Sequence, residues 1–141
     1  MMLFYTGKTR NSGSILSKQK DNSAVNKLTL DKMRAQSERL FHELTNSRID
    51  EIGTVLRDGW ELKKSLASGI SDPDIDKLYE KALRAGAVGG KLTGAGGGGF
   101  LTLFVPPERQ SEVRGALPDL KEIEFKIEPQ GSKIIYVGDD M

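Results

Sequence analysis

The chain has 141 residues, of which 37% are hydrophobic and 29% charged, and its formal net charge is +1. This length and mixture predict one globular domain and argue against a disordered or fibrous chain. The near-zero charge, with no stripe of basic residues interleaved with aromatics, argues against nucleic acid as a partner. The absence of cysteine removes disulfides and cysteine zinc sites and agrees with a cytoplasmic location. No apolar run reaches membrane length, so we expect no membrane partner.

The first half of the chain predicts a short strand followed by helices. Residues 1–5 are typical of a strand, and Ser12 or Ser14 can cap a brief helix that ends near Lys20. Residues 19–26 are polar, and we expect them to be mobile. Apolar residues at helical spacing then predict a first long amphipathic helix that buries Leu30, Met33, Leu40, Phe41 and Leu44.

Two more helices are predicted before the sequence changes character. The apolar side of the earlier one carries Ile52, Val55, Leu56, Leu62 and Leu66. The later one begins at Ser71-Asp72-Pro73, a typical helix start. Its apolar residues Ile75, Leu78, Tyr79, Ala82 and Leu83 fall at i, i+3, i+4, i+7 and i+8.

The second half of the chain predicts strands and one further helix. Residues 91–93 and 100–105 are predicted strands on either side of a glycine run, and Pro106-Pro107 opens a helix that ends near Leu117. Alternation of Ile123, Phe125 and Ile127 with charged residues predicts a strand, and residues 133–137 its returning partner, in a terminal hairpin with one buried face. This order predicts an α+β domain with a ferredoxin-like antiparallel sheet covered by helices.

Seven of the sixteen glycines lie between Gly89 and Gly99. Consecutive residues without a Cβ allow several backbone N–H groups to converge on one phosphate. A tightly bulged hairpin turn is an equal alternative for a glycine run alone. The run leads into a strand and not a helix, which argues against a dinucleotide fingerprint, and the spacing around Lys91 does not fit a Walker loop.

The segment from Gly86 to Phe100, Gly-Ala-Val-Gly-Gly-Lys-Leu-Thr-Gly-Ala-Gly-Gly-Gly-Gly-Phe, resembles the carboxy-terminal glycine motif of the GHMP kinases. The wider pattern resembles the D-glycero-D-manno-heptose 7-phosphate kinase branch of that family. It comprises Tyr5-Thr6-Gly7, Arg10, residues 60–66, Ile70-Ser71-Asp72-Pro73 and the glycine motif. These segments span most of the chain.

The resemblance implies ATP-dependent phosphoryl transfer to a sugar or sugar phosphate, with Mg²⁺ as a second cofactor. It places Gly94, Ala95, Gly96, Gly97 and Gly98 against phosphate, and Thr6, Gly7, Arg10 and Lys64 at the acceptor. In the family, the nucleotide loop, the magnesium ligands and the catalytic acid belong to an amino-terminal domain, and no segment of this chain resembles it. We therefore assign no catalytic or metal-binding residue here.

Four features have plain structural alternatives. The Arg10 guanidinium can form a bidentate contact with a phosphate, or the side chain can lie in solvent. Lys63 and Lys64 can face an acceptor, although such pairs usually lie in water, and Trp60 can stack on a sugar, although a lone aromatic at helical spacing is more often core. The pair Asp139-Asp140 resembles a metal site, although terminal acids are usually solvated.

The sequence leads to two hypotheses about the whole molecule. In the first, residues 1–141 are the carboxy-terminal domain of a sugar kinase and the amino-terminal kinase domain is a missing partner. The abrupt start in a strand agrees equally with this and with a native terminus. In the second, the chain is a stand-alone ferredoxin-like module that binds an anion. A homodimer is compatible with either hypothesis.

Overall fold

The computed structural model describes residues 1–9, 12–94 and 96–134. A short strand opens the described chain, helices follow, and the rest of the sheet is completed late, as the predicted α+β order requires. The elements are β1 (Met2–Tyr5), α1 (Ser12–Asp21), α2 (Lys27–Thr45), α3 (Glu51–Leu66), α4 (Pro73–Arg84), β2 (Gly89–Thr93), β3 (Phe100–Phe104), a 3₁₀ turn (Pro107–Arg109), α5 (Gln110–Ala116) and β4 (Lys121–Glu122).

The four strands form one antiparallel sheet in the order β2-β3-β1-β4. Strand β3 is central, with Met2 of β1 opposite Leu103 and Lys91 of β2 opposite Thr102. This topology places the β2–β3 hairpin loop beside the end of β1, because Tyr5 pairs with Phe100 at the same edge. The α+β prediction, with helices packed on an antiparallel sheet, is confirmed.

One face of the sheet carries the core. Residues alternate between buried and partly exposed along β1 and β3, as expected for strands with one covered face. The helices contribute Trp60, Ile75, Tyr79 and Val113 to the same cluster, and the segments next to them contribute Ile70 and Leu117. Trp60 is only 1% exposed, so the structure favours the core alternative for this residue.

Helix α4 begins as the sequence predicts. The Asp72 carboxylate accepts hydrogen bonds from the Asp74 and Ile75 N–H groups, each at 3.0 Å. Pro73 follows in the first turn, where its missing N–H costs nothing. The cap therefore fixes the direction in which α4 leaves the loop at residues 70–72.

Helix α2 differs from its prediction in extent and burial. It begins at Lys27, and the segment before it is held because the Asn22 and Asn26 amides donate to the Leu66 carbonyl at 3.4 and 2.8 Å. No residue of α2 is fully buried, and Phe41 is 72% exposed. The helix packs mainly against α3 and not against the sheet, which leaves much of its apolar side uncovered.

The predicted terminal hairpin is wrong for the described residues. Only Lys121–Glu122 forms a strand, although the Ile123 N–H still donates to Leu3 O at 2.8 Å. Beyond this point the described residues form no further ladder with β1. Ile127 is accordingly 77% exposed. The returning strand is absent at residues 133–134, and residues 135–137 lie outside the described part of the chain.

Helix α3 approaches β2 so closely that no side chain fits between them. A Cβ placed on Gly89 would lie 2.0 Å from the Gly53 carbonyl oxygen and 2.8 Å from Arg57 Cβ. Backbone-to-backbone contact at this distance requires glycine. Among the described residues, no helix has the length and apolar character to span a membrane.

We expect Gly89→Ala to destabilise the chain by about 1–3 kcal/mol, because the added methyl must push α3 away from the sheet. The matched control is Gly115→Ala on the exposed surface of α5, where a Cβ meets nothing within 4 Å. That change should stabilise by about 0.5–1 kcal/mol, the usual helical preference for alanine. Urea unfolding of the two variants measures both effects, and equal stabilities would contradict the close packing.

Candidate functional site

Three separate segments meet at one end of the sheet. They are residues 6–9 after β1, residues 70–76 at the start of α4, and residues 94–99 between β2 and β3. We call the last of these the glycine turn; its residue Ala95 lies outside the described part of the chain. The sheet register brings the first and last segments together, because residue 6 follows Tyr5 and residue 99 precedes its strand partner Phe100.

The β1 end holds the glycine turn through its backbone. The Thr6 N–H and the Thr6 hydroxyl both donate to Gly99 O at 2.9 Å. The Gly99 N–H donates in return to Lys8 O at 2.8 Å. The Thr6 hydroxyl is thus used inside the fold, whereas neighbouring Gly7 is exposed, with a left-handed φ of 71°.

The start of α4 holds the turn from another side. The buried Gly97 donates its N–H to Ile70 O at 2.8 Å. A Cβ on Gly96 would lie 2.8 Å from the same Ile70 oxygen, and one on Gly98 would lie 2.6 Å from Lys8 O. Gly96 also has a φ of 112°, which other residues rarely adopt. Glycine is therefore required in this turn for packing alone.

The N–H groups of the turn fall into two kinds. Those of Gly97 and Gly99 donate within the fold. Those of Gly96 and Gly98 donate no hydrogen bond to any acceptor in the described ranges, and both residues are partly exposed. Backbone donors grouped in a glycine loop are the typical protein partners of phosphate oxygens.

A cluster of opposite charges ties the β1 end to α4. The Lys8 ammonium contacts both Asp72 carboxylate oxygens and one Asp74 oxygen, each at 2.9 Å. Hydrogen bonds that Lys8 donates to Asp74 and Asp72 raise the pKa of Lys8. Partial burial opposes ionisation of Asp72, but hydrogen bonds from the Ile75 N–H and Lys8 lower its pKa overall. The charges of this cluster thus offset one another.

Lys63 of α3 reaches the other end of the glycine turn. Its ammonium donates to the Gly94 carbonyl oxygen. Partial burial and the charge of nearby Lys91 lower the pKa of Lys63. Neither lysine contacts a carboxylate within the part of the chain that the structure describes. Positive charge is therefore left uncompensated at this end of the turn.

The structure separates the two lysines that the sequence places together. Lys64 lies 2.9 Å from Glu61 and 3.8 Å from Asp76, whereas Lys63 contacts the turn. The sequence indicates both lysines as possible acceptor contacts and the family resemblance favours Lys64, whereas in the structure Lys63 is the one that contacts the glycine turn. Helical phase carries a signal for Lys63, since it lies at i+7 from Leu56 on the α3 side that faces α2 and β2.

Two predicted site residues, Arg10 and Ala95, lie outside the described residues, as does the pair Asp139-Asp140. Within the described ranges, no group of three or more acidic or histidine side chains is arranged to hold a metal ion. This part of the chain therefore offers backbone donors and ammonium groups, which suit an anion, and no ready set of metal ligands.

The Asp72 carboxylate should stabilise the fold through its charge as well as its cap. Because folding lowers its pKa, this contribution is present above the ordinary value of 3.8 and is lost as pH falls through the lowered value of the folded state.

Asp72→Asn, which keeps a capping oxygen, should lower stability at pH 7 but not at the acid end. Asp72→Ala should cost about 1 kcal/mol more through the lost cap. Urea unfolding from pH 7 to pH 3 measures this, with exposed Asp31→Asn as control; parallel profiles for wild type and Asp72→Asn would contradict it.

Comparisons with known proteins relate the chain to several kinases. It is 31% identical over 134 residues to the bifunctional fucokinase/GDP-fucose pyrophosphorylase of Arabidopsis thaliana, covering 90% of this chain and 12% of that protein. It is 28% identical over 119 residues to the D-glycero-alpha-D-manno-heptose 7-phosphate kinase of Campylobacter jejuni, covering 82% of this chain and 35% of that protein. The crystal structure of Methanococcus jannaschii mevalonate kinase matches with a TM-score of 0.65 and 26% identity, over 86% of this chain and 37% of that chain.

This chain thus spans little more than a third, or less, of each of these relatives. The heptose kinase branch stays a prediction, because a fucokinase matches over a longer segment at higher identity. The sequence pattern described as GHMP kinases C terminal matches residues 40–122, more than half of the chain and including the glycine turn. The chain therefore belongs to the GHMP kinase family and carries its C-terminal domain.

Proposed function

We propose that this chain is the C-terminal domain of an ATP-dependent kinase that transfers a phosphoryl group to a hydroxyl of a sugar or sugar phosphate. The observation that carries the proposal is the pair of N–H groups of Gly96 and Gly98, which donate to no acceptor among the described residues, in a turn that the Gly97 and Gly99 N–H groups hold in shape. Family membership supplies the reaction type.

The glycine turn fits a phosphate group in shape and in charge. A Cβ on Gly96 or Gly98 would meet backbone oxygens, so neither position carries a side chain, and both residues are partly exposed. An anion can then approach the N–H groups without meeting a side chain. Because the turn is already fixed by its bonds to Ile70 and Lys8, little ordering is needed when the anion binds, which favours transition-state stabilisation.

The cofactors are ATP, which supplies the phosphoryl group, and Mg²⁺. The described residues fit the phosphates of ATP but form no group suited to the metal. We therefore assign Mg²⁺ and the catalytic acid to the rest of the enzyme and derive no step through the metal here. The role of this domain is to bind and orient phosphate and part of the acceptor, an effect worth several kcal/mol when the geometry is fixed.

The acceptor is proposed to be a sugar, with heptose 7-phosphate as the finer hypothesis. Two relatives are named for sugar substrates, fucose and heptose 7-phosphate, which supports this class. A second candidate is mevalonate, because the mevalonate kinase of Methanococcus jannaschii shares both sequence and fold with this chain. Gly7 and Arg10 remain proposed acceptor residues, with Arg10 suited to a phosphate already on the sugar.

We expect the 141-residue chain alone to have no ATP-dependent kinase activity, because the proposed catalytic acid and nucleotide loop belong to the rest of the enzyme. The complete kinase polypeptide should release ADP when a suitable sugar or sugar phosphate is added. A coupled ADP assay on both proteins, purified identically, measures this. Turnover by the 141-residue chain, or no turnover by the complete protein with any acceptor, would contradict the proposal.

The phosphate-binding role of the turn can be tested without catalysis. In an NMR titration of the ¹⁵N-labelled chain with pyrophosphate, the amide signals of Gly96 and Gly98 should shift most. Those of Gly97 and Gly99 serve as internal controls, because their N–H groups already donate to Ile70 and Lys8. Equal shifts across all four glycines, or shifts only elsewhere, would favour a purely structural turn.

A further inference from the structure

A cavity of about 240 Å³ lies beside the glycine turn, between α2, α3 and β2. Its walls include the apolar side chains of Met33, Leu56 and Trp60 and the polar Gln36. Lys63 and Lys91 also line it, and we call it the lysine cavity. Because the Lys63 ammonium donates to Gly94 O, one side of the cavity borders the glycine turn.

The two lysines lack a countercharge. Each like charge disfavours the other, and partial burial removes the water that would otherwise screen them. Within the described residues, neither Lys63 nor Lys91 contacts a carboxylate, although Lys64 next in sequence contacts two. Paired ammonium groups in a partly enclosed site are stabilised when an anion binds between them.

A second observation also indicates a ligand. Trp60 is 1% exposed and lines the lysine cavity, yet its indole N–H has no acceptor among the described residues. Buried indole N–H groups usually find a hydrogen-bond partner. The cavity thus combines an apolar wall, a donor without an acceptor and two cations.

We propose that the lysine cavity binds the acceptor of the kinase through an anionic group, a carboxylate or a phosphate, held by Lys63 and Lys91. The carbon skeleton of the acceptor lies against the apolar wall, with its hydroxyl directed to the glycine turn. This inference rests on the proposed kinase function and narrows the substrate class to acceptors that already carry an oxyanion, such as a sugar phosphate or a hydroxy acid. Neutral sugars are excluded as preferred substrates.

The test uses steady-state kinetics of the complete kinase with heptose 7-phosphate, mevalonate and neutral fucose as acceptors. An oxyanion-bearing acceptor should have the highest kcat/KM. If heptose 7-phosphate is preferred, the bound anion is a phosphate; if mevalonate is preferred, it is a carboxylate. Lys63→Gln and Lys91→Gln should each raise the KM for that acceptor roughly tenfold to hundredfold, the usual worth of a charged hydrogen bond. Lys91→Gln should leave the KM for ATP unchanged, because among the described residues the Lys91 side chain donates no hydrogen bond to the glycine turn, whereas Lys63 does.

Lys77→Gln, an exposed lysine of α4, is the matched control and should change neither KM. Lys63→Arg should recover part of the lost affinity because it keeps the charge. Thermal unfolding of each variant identifies any change that arises from misfolding, and a Lys63→Gln variant that is unfolded is replaced in the test by Lys63→Arg and Lys91→Gln.

The outcomes separate this inference from the proposed function. A preference for neutral fucose, with no acceptor KM effect in the lysine variants, would overturn the anionic acceptor site and leave the kinase proposal standing. A rise in the KM for ATP alone would assign the lysines to the nucleotide and also overturn the inference. No turnover with any of the three acceptors would count against the kinase function itself, and the inference would fail with it.

Discussion

The close contact of three backbones at the glycine turn is the constraint on which the site depends. The Gly97 and Gly99 N–H groups bond to Ile70 and Lys8, and the neighbouring glycines leave no room for a Cβ against the same two residues. The N–H groups of Gly97 and Gly99 thus hold the structure, whereas those of Gly96 and Gly98 donate to no acceptor among the described residues. The close backbone packing that fixes the shape of the turn is thus also what leaves two N–H groups suited to a phosphate.

The same constraint links distant parts of the chain. Lys8 accepts from the turn through its carbonyl and contacts the cap of α4 through its ammonium. A change in the Asp72 cap therefore acts on the β1 end as well as on α4. Similarly, Lys63 connects α3 to the turn at Gly94. Lys8 and Lys63 therefore join the β1 end, α4 and α3 to the loop that carries the amides of Gly96 and Gly98.

Sequence reasoning succeeded where the local chemistry decides the structure. The cap at Asp72, the alternation in β3 and the glycine motif each predict their element, because turn residues and side-chain periodicity suffice. It failed where the structure depends on packing or pairing with an element that is distant in the sequence. The apolar side of α2 implies burial, but α2 packs mainly against α3. Alternation beyond Ile123 implies a strand, but the described residues beyond it form no ladder with β1. The contact of Lys63 with the glycine turn could not be predicted for the same reason, since its partner Gly94 is 31 residues away.

The charges around the turn explain why its two ends differ in function. At one end, Lys8 forms ion pairs with Asp72 and Asp74. These carboxylates neutralise its positive charge, and the ion pairs join the β1 end to α4. At the other, Lys63 and Lys91 lie together in partial burial, and among the described residues no carboxylate contacts them. A positive potential focused by low-dielectric walls attracts anions to that side in preference to the other. An acceptor with an oxyanion is then drawn to the end where α2 and α3 leave space for its carbon skeleton, and the glycine turn is its neighbour.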